Sequence, residues 1–141
     1  MTVPSDIIAR LLGAWSLELN TYSATLRLSL SVLLSAVIGW ERASKRHSAG
    51  LRTFMVVTFA GTVAMMLDIL LNTVFGGTLF LLSAASVVSA TIIAANSLFF
   101  SSRNQIRGIT TSGALWGCCL LGLAVGAGFY TLSLAGTFTL L

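Results

Sequence analysis

The sequence predicts an all-α, polytopic transmembrane helix bundle of about five spans, with four as the alternative. Three observations carry this. First, 56% of the 141 residues are hydrophobic and only 9% are charged, whereas a soluble domain carries about a quarter charged residues. Second, six of the eight Lys and Arg fall in two short stretches, 42–52 and 103–107. The apolar runs between charges approach the roughly 20 residues that cross a hydrocarbon core of about 30 Å. Third, no charge occurs from 109 to 141. Mean hydropathy of +0.95 agrees. One Pro and 13 Gly exclude a collagen-like or disordered chain. An ordinary soluble enzyme is excluded.

The segment 1–22 comes first. Ile7, Ile8, Leu11, Leu12, Trp15 and Leu19 recur at helical spacing, which predicts an amphipathic helix at the interface with Trp15 at headgroup depth. It alternatively runs straight into the first span. Asp6, Arg10 and Glu18 interrupt the segment, and it lacks the basic leader and apolar core of a cleavable signal peptide. A transmembrane domain over 23–141 follows. Its first span is 23–40, with Arg27 near one end, where a long side chain snorkels. The second is 53–74, closed by a turn over 72–78 containing Gly76 and Gly77, and the third is 79–100. The stretch 109–141 is too long for one untilted span. Two short helices broken around Gly122, Gly126 and Gly128 explain it best; one long helix with an interfacial tail is the alternative.

Charge orients the spans. The basic stretches within 41–52 and 101–108 face the cytoplasm by the positive-inside rule, and 72–78 carries no charge. Two loops separated by two spans lie on one side. The N-terminus is then outside, and five spans put Leu141 inside.

Helices meet in lipid through small residues. Ser31, Ser35 and Gly39 form such a stripe, as do Ser86, Ala90 and Ala94; Gly113 with Gly117, and Gly122 with Gly126, share the spacing. These faces serve either a tight bundle or oligomer contacts. Cys118 and Cys119 are adjacent, so they point about 100° apart on a helix and read as packing residues, not a disulfide.

Few polar residues are left to carry function. Asp68 is the one acid well inside an apolar span. Such a carboxylate either serves a proton or cation pathway or reaches water near the outer interface. Asn96 in the third span is expected to hydrogen-bond across helices or to line the same route. In the first basic loop Glu41 is the sole acid and pairs with a basic neighbour, Gly50 turns the chain, Thr53 caps the second span, and His47 is solvated. Arg107, Gly108, Thr110 and Thr111 repeat the order of charge, glycine and capping hydroxyl. Glu41, Arg42, Arg52, Arg107, Thr110 and Thr111 share the cytoplasmic face, as a binding site or as a structural ion-pair cluster. Hydrolase, P-loop, zinc and dinucleotide motifs are absent, so no enzyme, metal site or cofactor is expected. The basic stretches lack interleaved aromatics, which argues against nucleic acid. The expected partners are the bilayer and either a second copy or another membrane protein.

Ile38-Gly39-Trp40-Glu41-Arg42 followed by Ala49-Gly50-Leu51-Arg52-Thr53 resembles the G-x-E-R…A-G-L-R-T signature of the MgtC/SapB membrane domain. Arg107-Gly108-Ile109-Thr110-Thr111, with Trp116, Gly122, Gly126 and Gly128-Phe129-Tyr130, is similar to that family's second signature. The resemblance covers roughly 23–141 and points to a divergent, short member without the soluble C-terminal domain of longer ones. It departs in the third span, where the glycine-rich run is replaced by Ser89 to Asn96, and at Phe54 and Asp68. It implies a bacterial inner-membrane protein linked to growth in low Mg²⁺ and survival inside host cells. The implied activity is regulation of other membrane proteins, including ATP synthase. The resulting expectation is a non-enzymatic inner-membrane protein that modulates a membrane partner or supports Mg²⁺ and acid-stress homeostasis and virulence. The alternative is a cation or proton transporter subunit using Asp68; a plain structural scaffold is a third, weaker reading.

Overall fold

Gly76, Gly108 and Gly128 punctuate the apolar part of the chain, each at positive φ, and helices lie between them. The computed structural model describes residues 6–16, 18–45, 49–100 and 106–141, with 99–100 and 106–107 described by their backbone. Among these residues the order is α1 (Ile7–Leu12), a 3₁₀ turn (Ala14–Ser16), α2 (Thr21–Ser44), α3 (Leu51–Phe75) and α4 (Leu81–Ala95). A two-residue antiparallel ladder, β1 (Phe99–Phe100) with β2 (Ile106–Arg107), leads into α5 (Ile109–Ala127) and α6 (Tyr130–Leu140). The chain is an all-α transmembrane bundle. Helices stand at all five predicted places, as α2 to α6, but they are unequal in length.

Among the described residues α2, α3 and α5 are long and apolar enough to cross a membrane, and α4 is a shorter apolar helix. At 15 residues, α4 rises about 22 Å and stops short of the predicted 79–100. Leu79 is held in the preceding turn by Asn72, and past Ala95 the chain turns into the ladder. The uncharged stretch 109–141 breaks once, at Gly128 and not at Gly122 or Gly126. Gly128 has φ +89°, a left-handed conformation costly to other residues. The resulting α6 has 11 residues, about 16 Å, and covers only half a bilayer.

The tightest seam joins α3 and α5. A Cβ on Gly122 would lie 2.2 Å from the Thr58 carbonyl, one on Gly126 2.7 Å from the Thr62 carbonyl, and one on Gly61 2.7 Å from the Cys119 carbonyl. Thr58 with Gly122 and, four residues on in both helices, Thr62 with Gly126 rise together, so α3 and α5 run parallel. Thr62 Oγ1 donates to the Gly122 carbonyl at 3.0 Å across the seam. The predicted small-residue faces divide accordingly. Ser31, Ser35, Ala90, Ala94, Cys118 and Cys119 are buried, and both cysteines are free thiols. Gly39 lies against the Leu51 backbone, and Gly117 against Leu140. Gly113 is exposed, and a Cβ there would meet nothing within 4 Å, so it takes no part in packing within the chain.

Candidate functional site

Asp68 lies two turns before the end of α3 and is 2% exposed. Its carboxylate accepts the backbone N–H of Leu82 at 3.1 Å and of Ser83 at 2.7 Å. These are first-turn donors of α4, which lack partners within their own helix. Asp68 therefore caps α4 from the neighbouring helix and does not reach water at the outer interface. One turn later, Asn72 donates to the Leu79 carbonyl at 2.8 Å and accepts from the Leu79 N–H at 3.0 Å. Asp68 and Asn72, spaced i and i+4, share a face of α3 and together fasten the α3–α4 hairpin. Asn96 is a second correction. It is the exposed C-cap of α4, not a residue within a span, since the helix ends one residue before it.

Arg27 does not snorkel. Its guanidinium is 1% exposed and donates to the Gly126 carbonyl at 2.7 Å and to the Ser16 carbonyl at 2.9 Å. Gly126 sits in the last turn of α5, just before the break. There the Gly128 and Phe129 N–H groups take the Val125 and Ala124 carbonyls at 3.0 and 2.9 Å. Ser16 is the end of the 3₁₀ turn, and its carbonyl also accepts from Ser23 Oγ and Tyr130 Oη, each at 3.1 Å. The N-terminal segment is thus folded onto the break.

Asp6 holds the other end of that segment. Its carboxylate accepts from the Ile8 N–H at the start of α1 and from the Thr131 N–H and hydroxyl at the start of α6. Partial burial works to raise the Asp6 carboxyl, but the Thr131 hydrogen bonds, with help from Ile8 and Tyr130, hold it below the usual carboxylate value.

The predicted cytoplasmic cluster is assembled only in part. Glu41 forms ion pairs with Arg42, at 3.2 Å, and with Lys45. Arg42 also donates to the Leu140 carbonyl at 3.0 Å, which places a cation at the C-terminal end of α6. Arg52 is exposed in the first turn of α3. His47 and the Arg107 side chain lie outside the described residues. Thr53 does not cap α3, because the N-cap is Gly50 in an extended conformation at φ −96°; its left-handed freedom is not used. Thr110 and Thr111 do not cap α5 either. Gly108 does so at φ +93°, where a Cβ would stand 2.2 Å from the Ser97 carbonyl. Thr111 is buried instead.

An apolar cleft of about 490 Å³ opens on the outside of the bundle between α3 and α4. It is lined by small residues, Ala60, Gly61, Ala64, Ala85 and Ser89, by Cys119 of α5, and by the bulkier Phe59, Leu67 and Ile93. Among the described residues no three His, Cys, Asp or Glu gather into a metal-binding group. Sequence reasoning missed Ser16, Gly61, the Asn72 clasp on Leu79, the Tyr130–Ser16 bond and the Asp6–Thr131 contact. Only the Asp68–Asn72 spacing carried a readable signal.

A sequence model of the MgtC family matches residues 28–141. The chain is 33% identical to SapB of Bacillus subtilis over 113 residues, 74% of this chain and 48% of that protein. It is 31% identical to SrpB of Synechococcus elongatus over 128 residues, 79% of this chain and 68% of SrpB. It is 27% identical over 118 residues to YhiD of Escherichia coli K12, whose name marks it as a candidate magnesium transporter; the match covers 79% of this chain and 54% of YhiD. The chain thus spans about half the length of SapB and YhiD. No solved structure matches it.

Proposed function

Because the chain belongs to the MgtC family, we propose that it is a non-enzymatic modulator that supports Mg²⁺ homeostasis by engaging another membrane protein within the bilayer. Acid-stress and virulence roles belong to the same reading. The observation that carries it is the cleft between α3 and α4. Its many small lining residues, Ala60, Gly61, Ala64, Ala85 and Ser89, suit the close approach of a foreign transmembrane helix, the way helices associate in lipid. The partner is another membrane protein or a second copy of this chain. The reading puts the protein in the bacterial inner membrane, with the 41–52 and 101–108 loops in the cytoplasm and the N-terminus outside.

A transport reading is favoured by the printed name of YhiD and by the broken α5–α6 helix, since discontinuous helices line many transport sites. Against it stands the use of both Asp68 carboxylate oxygens to cap α4, a structural role that accounts for a buried acid at this position.

The experiment places a photocrosslinker at Ala64 or Ala85 and, in parallel, follows Mg²⁺ and proton flux in liposomes. A discrete membrane-protein adduct, blocked by Ala64→Trp, together with no flux, is the expected result. Flux that falls in Asp68→Asn, with no adduct, would sink the modulator in favour of the transporter.

A further inference from the structure

A carbonyl oxygen stranded at a helix break inside a membrane needs a donor from elsewhere in the protein, because no water is present to supply one. In this bundle the break between α5 and α6 leaves the Gly126 carbonyl outside the hydrogen bonds that Gly128 and Phe129 make to Val125 and Ala124. The Ser16 carbonyl lies beside it and is approached by three donors, from Arg27, Ser23 and Tyr130. Both carbonyls face a guanidinium that is 1% exposed. Backbone carbonyls at the C-terminal end of a broken membrane helix are a cation site in general, because the helix dipole adds negative potential there. Here the cation is tethered. Gly128 lies alongside it, with a Cβ position 3.4 Å from Arg27 Nη2 and 3.7 Å from Cζ, so a side chain there would crowd the guanidinium.

We propose that the Gly126 and Ser16 carbonyls form a guanidinium-binding site at the α5–α6 break, occupied by the chain's own Arg27, and that this occupancy locks the N-terminal segment over the break. The ligand class is a small planar monovalent cation. The inference is independent of the modulator reading, since it concerns a closed site inside one chain and not the outer cleft. It also bears on the transport reading: a cation passes this break only after Arg27 leaves it.

The test uses the full chain in lipid nanodiscs, with Arg27→Ala and free guanidinium chloride as the probe and sodium chloride as the salt control. Two readouts are taken: the unfolding temperature, and protease cleavage within 7–16. Arg27→Ala is expected to unfold at lower temperature and to expose 7–16 to protease. Millimolar guanidinium, far below the molar range in which it denatures, is expected to reverse both effects in Arg27→Ala in a saturable way and to leave the wild type unchanged. Absence of any saturable rescue, or an equal response in the wild type, overturns the proposal. If Arg27→Ala does not fold, Arg27→Lys and Arg27→Met decide. A cation site keeps the Lys variant closed and folded while the Met variant opens or fails; identical behaviour of the two overturns the proposal.

Discussion

Asp68 and Arg27 are each a charged side chain buried among apolar helices, and each is held by backbone groups that a helix terminus leaves over. A carboxylate taking two first-turn N–H groups makes charge-assisted hydrogen bonds, and losing it strands both donors. Asp68→Ala is therefore expected to lower stability by about 1–3 kcal/mol. Asp68→Asn, which keeps one acceptor, should lose less. Thermal unfolding in detergent compares them, and an Asp68→Ala protein as stable as wild type would remove the capping role. Asp6 makes a pH-dependent contact. Its carboxyl is held below its ordinary value in the folded protein. The stability it contributes is thus fully present above the unfolded carboxylate pKa of about 3.9 and is lost as pH falls through the lower folded value. Protease cleavage within 7–16 should stay flat down to about pH 4 and rise only below it. Thr131→Val should move that rise to higher pH.

At the scale of elements, the short helices are the ones that borrow from their neighbours. α4 takes its N-terminal cap from Asp68 on α3, and α6 takes an acid at its N-terminus from Asp6. The C-terminal carbonyls of α5 and α6 receive Arg27 and Arg42, both from α2. Helices α4, α5 and α6, which carry no charge of their own, are thereby completed by charges from residues 6–68. Packing follows the same division. Gly122→Val should separate α3 from α5, because its Cβ position is 2.2 Å from a backbone carbonyl, while Gly113→Ala meets nothing within 4 Å. Expression and unfolding temperature should collapse for the first and stay within about 0.5 kcal/mol of wild type for the second. Equal tolerance would refute the seam.

For the whole molecule, parallel α3 and α5 set the two basic loops on one side, and Arg42 on Leu140 brings the end of α6 toward that side as well. This agrees with the sidedness that charge alone predicts. Cysteines introduced at Lys45 and Thr78 should label with an impermeant maleimide from opposite faces of the membrane, Lys45 from the cytoplasm. Cys118 and Cys119 should give no background, since they are 0% and 2% exposed. Labelling of both introduced cysteines from one face would overturn the topology.

The sequence by itself determined the class and located the apolar helices, with the count left at four or five spans, and it predicted the relative sides of the loops. Those depend on hydropathy and on where a few charges sit along the chain, and both are one-dimensional properties. It marked Asp68 as unusual and found the glycines of the α5 seam, but not their partner Gly61 or the emptiness around Gly113. Residue spacing places a residue on a face of a helix without saying which neighbour covers that face. Only the tertiary structure decided that Arg27 is buried, that Asp68 and Arg42 serve helix ends, and that Thr53, Thr110 and Thr111 are not caps. Each depends on which helix terminus lies within hydrogen-bond reach: 99 residues separate Arg27 from Gly126, and 98 separate Arg42 from Leu140. A stranded carbonyl in lipid recruits whatever donor the fold brings near, and no local pattern in the sequence records that pairing.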